Sequence, residues 1–397
     1  MIFSTTGRLL GVTALGLTLA VSACGSPERR PPDASETPHG YVEGAEELAE
    51  AQPAIAYATR GGRRLGLLDL ASAAEKDIAL SVPAAGVTED GRFVYVDDGD
   101  RTLEIVDGGV WTVDHADHVH YYRAPSRSVG TLSLDAPIRT IAGFGTHTTV
   151  GTADGKVTVL DRRALETGTI SELATIDSSS STPLAVPYAG QLLVAVGDDP
   201  RRPADRIVAM DATGRPTGAL EAPCAAPRGW AVLRGGAVIA CEDEVVRVKL
   251  AGDDLTATVL TSPRTPVSPG RFGYRPRSNE AAVADRSGIW SVNAAKATLR
   301  YVPVAGRELV AAASPADAST VLALDTSDRL ISLDLETGRI LAERPLRATG
   351  VTLDVDRAYL TDPEARVVHE IDYRDRLRTA RTLTVADRPD LMVEVGR

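Results

Sequence analysis

Two stretches decide the fold: VYVDDGDRTLEIVD at 94–107 and VGTADGKVTVLD at 150–161. Each is an apolar run, a turn built on Gly and Asp, a second run with alternating apolar positions, and a closing Asp. Alternation with a period of two marks a half-buried strand, and Gly/Asp clusters between such runs make turns. The same unit recurs as AYATRGGRRLGLLD (56–69), AVGDDPRRPADRIVAMD (195–211), ACEDEVVRVKL (240–250), AVADRSGIWSVN (282–293), LALDTSDRLISLD (322–334) and YLTDPEARVVHEID (359–372), which makes eight units. The closing residues form a ruler: Asp69, Asp107, Asp161, Asp211, Asn293, Asp334 and Asp372, with a Lys-bearing variant near Val248 between Asp211 and Asn293. From Asp69 to Asp372 is 303 residues, so the seven intervals average about 43, the length of a four-stranded propeller blade. No long amphipathic helix interrupts the pattern. The expected fold is therefore all-β, an eight-bladed β-propeller, with seven blades as the alternative if one unit is irregular. The first unit lacks an innermost strand, and LMVEV (391–395) is expected to supply it and close the ring, which removes an exposed sheet edge.

One interval breaks the ruler. Asp107 to Asp161 spans 54 residues, and the excess falls on WTVDHADHVHYY (111–122). The chain has six histidines, and His115, His118 and His120 all lie here, with Asp114 and Asp117 among them. We expect this segment on a lengthened outer strand and loop of the second blade, since insertions in repeat scaffolds map to loops on one face. In an extended strand His118 and His120 point the same way, roughly 7 Å apart at Cα, so two imidazoles can converge on one ion. A turn at Ala116-Asp117 would bring His115 round, either to bind or only to recruit the ion. Asp114 and Asp117 would act as ligands or fix a ring tautomer through the far nitrogen. Imidazole and carboxylate without thiolate suit Zn2+, and leave nickel, cobalt and copper(II) open. His147, in FGTHTTV at the edge of the next blade, is the best-placed further ligand. His369 is in phase with Val367 and Ile371 on a packed face and reads as structural.

The N-terminus adds a compartment. Residues 1–23 combine Arg8, an apolar segment from about Leu9 to Val21 and small residues before Cys24, the order of a secretory signal. Val21-Ser22-Ala23-Cys24-Gly25 resembles a bacterial lipobox, so lipidation at Cys24 is expected. That anchors an exported protein to the outer face of the cytoplasmic membrane, or on its periplasmic side. Residues 24–52, rich in Pro, Glu, Ser and Gly and containing His39, read as a flexible tether, and 53–397 as the propeller domain. In an oxidising compartment Cys224 and Cys241 are expected to form a disulfide, a thiol metal pair being the rival reading. The net charge of −11 argues against nucleic acid or an anionic membrane surface as a partner. No phosphate-binding glycine loop, dinucleotide fingerprint or zincin helix occurs. DSSSSTP (177–183) lacks the context of a nucleophilic serine. No enzymatic activity is expected.

Taken together, VWTVDHADHVHYYRA (110–124), the export signal and the closing VHEIDYRDRLRTARTL (368–383) resemble the AztD-type zinc metallochaperones. These are exported β-propellers that bind zinc and hand it to the zinc-binding solute-binding protein of an ABC importer. The resemblance implies Zn2+ as cargo, His118 and His120 as its holders, His115, Asp114 and Asp117 in the same motif, and adds His147 and His369. It departs at CAAPRGW (224–230), where Arg228 stands in place of a histidine, which puts a second metal site in doubt. The other reading is a lipoprotein propeller that serves as a protein-interaction scaffold and transfers no metal.

Overall fold

The computed structural model describes residues 42–115, 118–261, 271–317 and 319–397. The signal segment, Cys24, His39 and Asp117 lie outside the described residues. Among those described, the strands pair into nine sheets, seven of four strands and two of three. The described residues are all-β apart from a one-turn helix at Arg162–Glu166.

Eight of the sheets take one repeat unit each. In the second, Gly86–Glu89, Phe93–Asp97, Thr102–Asp107 and Arg127–Ser133 follow one another as antiparallel neighbours. The first unit contributes Ala54–Ala58, Arg64–Asp69 and Glu75–Ala79, and its fourth strand is Leu391–Val395, which pairs with Ala54–Ala58 from the far end of the chain. The sixth is the irregular one: Glu280–Asp285, Gly288–Asn293 and Thr298–Pro303 form a three-stranded sheet, extended by an isolated bridge from Gly273 to Ala282.

The burial pattern explains why the units stack. Ala54–Ala58 and Gly236–Ala240 are buried at every position, whereas outer strands such as Glu75–Ala79 bury about one residue. A strand buried on both faces has a sheet on each side, and each core cluster indeed joins two neighbouring units. Leu193 and Ile207 of the fourth pack with Ile239 and Val246 of the fifth. Ile55, Tyr57 and Leu68 of the first pack with Tyr359, Val368 and Leu383 of the eighth.

The closing Asp or Asn, where a unit has one, works in the turn that follows. Asp69 accepts from the amides of Ala71 and Ser72 at 2.9 and 2.8 Å. Asp334 does the same for Glu336 and Thr337, Asp372 for Arg374 and Asp375, and Asn293 for Lys296. A short carboxylate reaching its own backbone two and three residues on is the Asx turn. The ruler read in the sequence is thus a row of turn-forming side chains. Cys224 and Cys241 form a disulfide with Cα atoms 5.1 Å apart. Each follows a strand of a different unit, Pro216–Pro223 and Gly236–Ala240, so the bond ties the fourth sheet to the fifth.

Candidate metal centre

The second repeat carries an insertion between its third and fourth strands. Val110–Asp114 and Val119–Arg123 pair as a hairpin that stands apart from the repeat sheet. This corrects the expected lengthened outer strand: the outer strand is the later Arg127–Ser133, and the histidines sit on a sheet of their own. That sheet has a third strand, Glu46–Leu48, paired with Tyr121–Arg123. The last part of the stretch read as a tether, 42–52, therefore includes a strand of the site. Nothing local announced it, because AEELAE (45–50) has no alternation and no β-branched residue, and its partner is some 70 positions away.

Several contacts bolt the hairpin to the scaffold. Gly109 enters it with φ +76, and an added Cβ would lie 2.5 Å from the Ala124 carbonyl oxygen, so glycine is required at the crossing. Arg92, 2% exposed, makes a bidentate ion pair with buried Asp107 at 3.1 and 2.8 Å. The same guanidinium lies 3.7 Å from the centre of the Trp111 ring, and Trp111 stacks on Tyr122 at 5.4 Å. Thr112 donates to the Gly396 carbonyl at 3.0 Å, and Arg123 pairs with Asp69 at 3.2 Å.

Register sets the working face. Trp111 is opposite Tyr122 and Val113 opposite His120. With alternating side chains, Trp111 and Val113 share a face with His120 and Tyr122. The His115 amide donates to the His118 carbonyl at 2.9 Å, a turn that brings His115 back over the strand carrying His120. Ring centres are 4.9 Å apart for His115–His118, 5.4 Å for His115–His120 and 4.9 Å for His118–His120. One nitrogen from each ring lies within 4.8 Å of the others. His118 is exposed and the other two are half-buried. A tetrahedral zinc with bonds of about 2.0–2.1 Å holds its ligands roughly 3.4 Å apart, so small ring rotations suffice to close three nitrogens on one ion. Among the described residues three imidazoles converge, one donor fewer than a tetrahedral zinc takes.

Glu47, a residue the sequence did not single out, completes the picture. It is opposite Tyr122 on the same face, and its carboxylate accepts from His120 Nδ1 at 2.6 Å. Asp114 falls on the other face by alternation, with a carboxylate oxygen 3.8 Å from Arg277 Nε. His147 opens the strand His147–Thr152 in the third sheet, opposite Asp161, with Nδ1 3.0 Å from the Thr146 hydroxyl. His369 lies mid-strand in the eighth sheet, opposite Leu360 and 3.5 Å from the Thr382 hydroxyl. Burial pushes both imidazoles below the ordinary range. Neither joins the group of three.

The fold has solved counterparts. The crystal structure of AztD from Citrobacter koseri superposes with a TM-score of 0.72 over 87% of this chain and 98% of that one, at 14% identity. The chain has the AztD fold. The apo form of Citrobacter koseri AztD gives a TM-score of 0.73 with the same identity and coverage. The dihydro-heme d1 dehydrogenase NirN follows at 0.55, with 14% identity, 86% of this chain and 75% of that one. No family model matches the sequence, and no curated protein matches it. At 14% identity the likeness to AztD is one of fold, and the chemistry rests on the histidine group itself.

Proposed function

We propose that this protein is a non-enzymatic, extracytoplasmic zinc carrier of the AztD type. It holds Zn2+ on His115, His118 and His120 and passes it to the zinc-binding solute-binding protein of an ABC importer. It works from a lipid anchor on Cys24. The observation that carries the reading is three imidazoles converging on a partly exposed hairpin, within the fold of AztD. Three nitrogens bind zinc, and the open fourth position lets a partner's ligand enter before the first ones leave, which is what direct transfer needs. Glu43, Glu46, Glu47 and Glu50 cluster in the sequence around the docked strand and favour approach of a cation. We read the eight repeat sheets as eight propeller blades, with Leu391–Val395 closing the ring; the packing of the first unit on the eighth supports this.

The test is zinc binding by stripped and reloaded mature protein, measured by competition with a chelator. One zinc per chain with sub-micromolar affinity is expected. His118→Ala with His120→Ala should weaken it by well over 100-fold, more than loss of an outer-shell partner does. A wild-type chain that takes up no zinc, or a double variant with unchanged affinity, overturns the reading. Zinc-loaded protein mixed with a stripped solute-binding protein then tests the transfer.

A further inference from the structure

We propose that the strand Glu46–Leu48 is a latch on the metal centre: Glu47 holds the His120 ring through Nδ1, so undocking the strand loosens the bound zinc. The inference rests on the zinc reading above and adds its regulation. Three observations carry it. The strand is the first described element of the chain, and only three residue pairs hold it to Tyr121–Arg123. Its middle residue places a carboxylate 2.6 Å from His120 Nδ1. A carboxylate only accepts, so the contact fixes a proton on Nδ1 and leaves Nε2 as the unprotonated, metal-binding nitrogen. Such an outer carboxylate orients a ligand ring and raises its basicity, and its loss typically costs 10–100-fold in metal affinity.

The mechanical consequence follows from the topology. Glu46–Leu48 covers one edge of Val119–Arg123, the strand that carries His120. Both neighbouring glutamates and half-exposed Leu48 leave little apolar surface to hold it, and a strand so short is among the elements that open first. When it leaves, His120 loses its tautomer lock and the edge of its strand is freed together. A partner that adds a strand to that edge would thus weaken zinc at the moment it docks. Pull on the segment that precedes Glu46 would act in the same direction.

Two variants of the full mature chain test this. Glu47→Ala removes the acceptor and is expected to raise the zinc dissociation rate 10–100-fold, while Glu47→Gln, which keeps an acceptor oxygen, restores part of the loss. Leu48→Pro disrupts docking yet keeps Glu47, and is expected to match Glu47→Ala. In zinc-free protein the 15N signals of His120 should show the Nδ1–H tautomer in wild type and a mixture in both variants, a readout that a merely structural role leaves unmoved. Dissociation rates within twofold of wild type, in variants whose tautomer is also unchanged, overturn the latch. Failure of the zinc reading shows differently, as wild-type protein that binds no zinc, and then the latch falls with it.

Discussion

The repeat strand Phe93–Asp97 and the hairpin strand Val119–Arg123 are of equal length and belong to the same repeat, yet they are built on opposite terms. The first buries four of five residues between neighbouring sheets, and the second buries one. The repeat strand is held by apolar packing on both faces. The hairpin is held by the Arg92 guanidinium over Trp111, the Trp111–Tyr122 stack, the Arg123–Asp69 ion pair and the three-residue strand Glu46–Leu48. Stability comes from what is repeated, and the histidines that could hold a metal sit where the repetition is broken. In the proposed reading the site opens to a partner, which a buried core would not allow, and a hairpin of few apolar contacts opens without taking the repeat sheets with it.

A matched pair of tryptophans breaks the comparison most forcefully. Trp290 is fully buried in the sixth unit and packs on Tyr301 at 4.8 Å. Trp290→Ala should cost about 3–5 kcal/mol, seen as a large fall in Tm, with zinc affinity unchanged at temperatures where the variant stays folded. Trp111→Ala should lower Tm far less but weaken zinc binding, because Trp111 supports Tyr122 on the face that carries His120. Equal effects of the two on zinc binding would show that hairpin and scaffold are one unit.

A second test concerns the scaffold's own polar exception. Glu394 is fully buried in the strand Leu391–Val395. Burial pushes its pKa up to about 8, with nearby Arg397 opposing and Asp354 and Glu89 adding to the rise. The folded value exceeds the unfolded one, so the stability tied to this proton is full below about 4.5 and is lost as pH rises towards about 8. Glu394→Gln should remove that slope and raise Tm at pH 8 while leaving it close to wild type at pH 4, as followed by thermal melts across pH. A slope unchanged in the variant would assign it to another group.

The smallest effect belongs to the turns. The amide of Glu336 first, and then the hydroxyls and amide around it, hold Asp334 below the usual carboxylate range. Its contribution is present above the unfolded value of about 3.8 and disappears as pH falls through the folded one. Asp334→Ala should therefore lower Tm slightly at pH 7 and by less as the carboxylate protonates in acid, with zinc binding untouched.

The repeat was legible because it is local. A strand, an Asx turn and a strand need only neighbouring residues, and a side chain that must form the turn recurs at the spacing of the unit. The cluster of His115, His118 and His120 was legible for the same reason, since i and i+2 in a strand share a face. Glu47 was not legible, because its strand pairs with a segment more than 70 residues away, and neither was the separateness of the hairpin, because Arg127–Ser133 skips over it to pair with Thr102–Asp107. The sixth unit's reduction, among the described residues, to three strands and an isolated bridge was equally hidden, as its sequence keeps the pattern of the others. The sequence by itself determined the period, the turns and the histidine triad, each written in contacts within a few residues. Only the tertiary structure decided which strand lies beside the triad, which carboxylate locks His120, and that Asp114, His147 and His369 stand outside the group. Strand pairing across distance is set by the global stacking of sheets, and no local pattern records it.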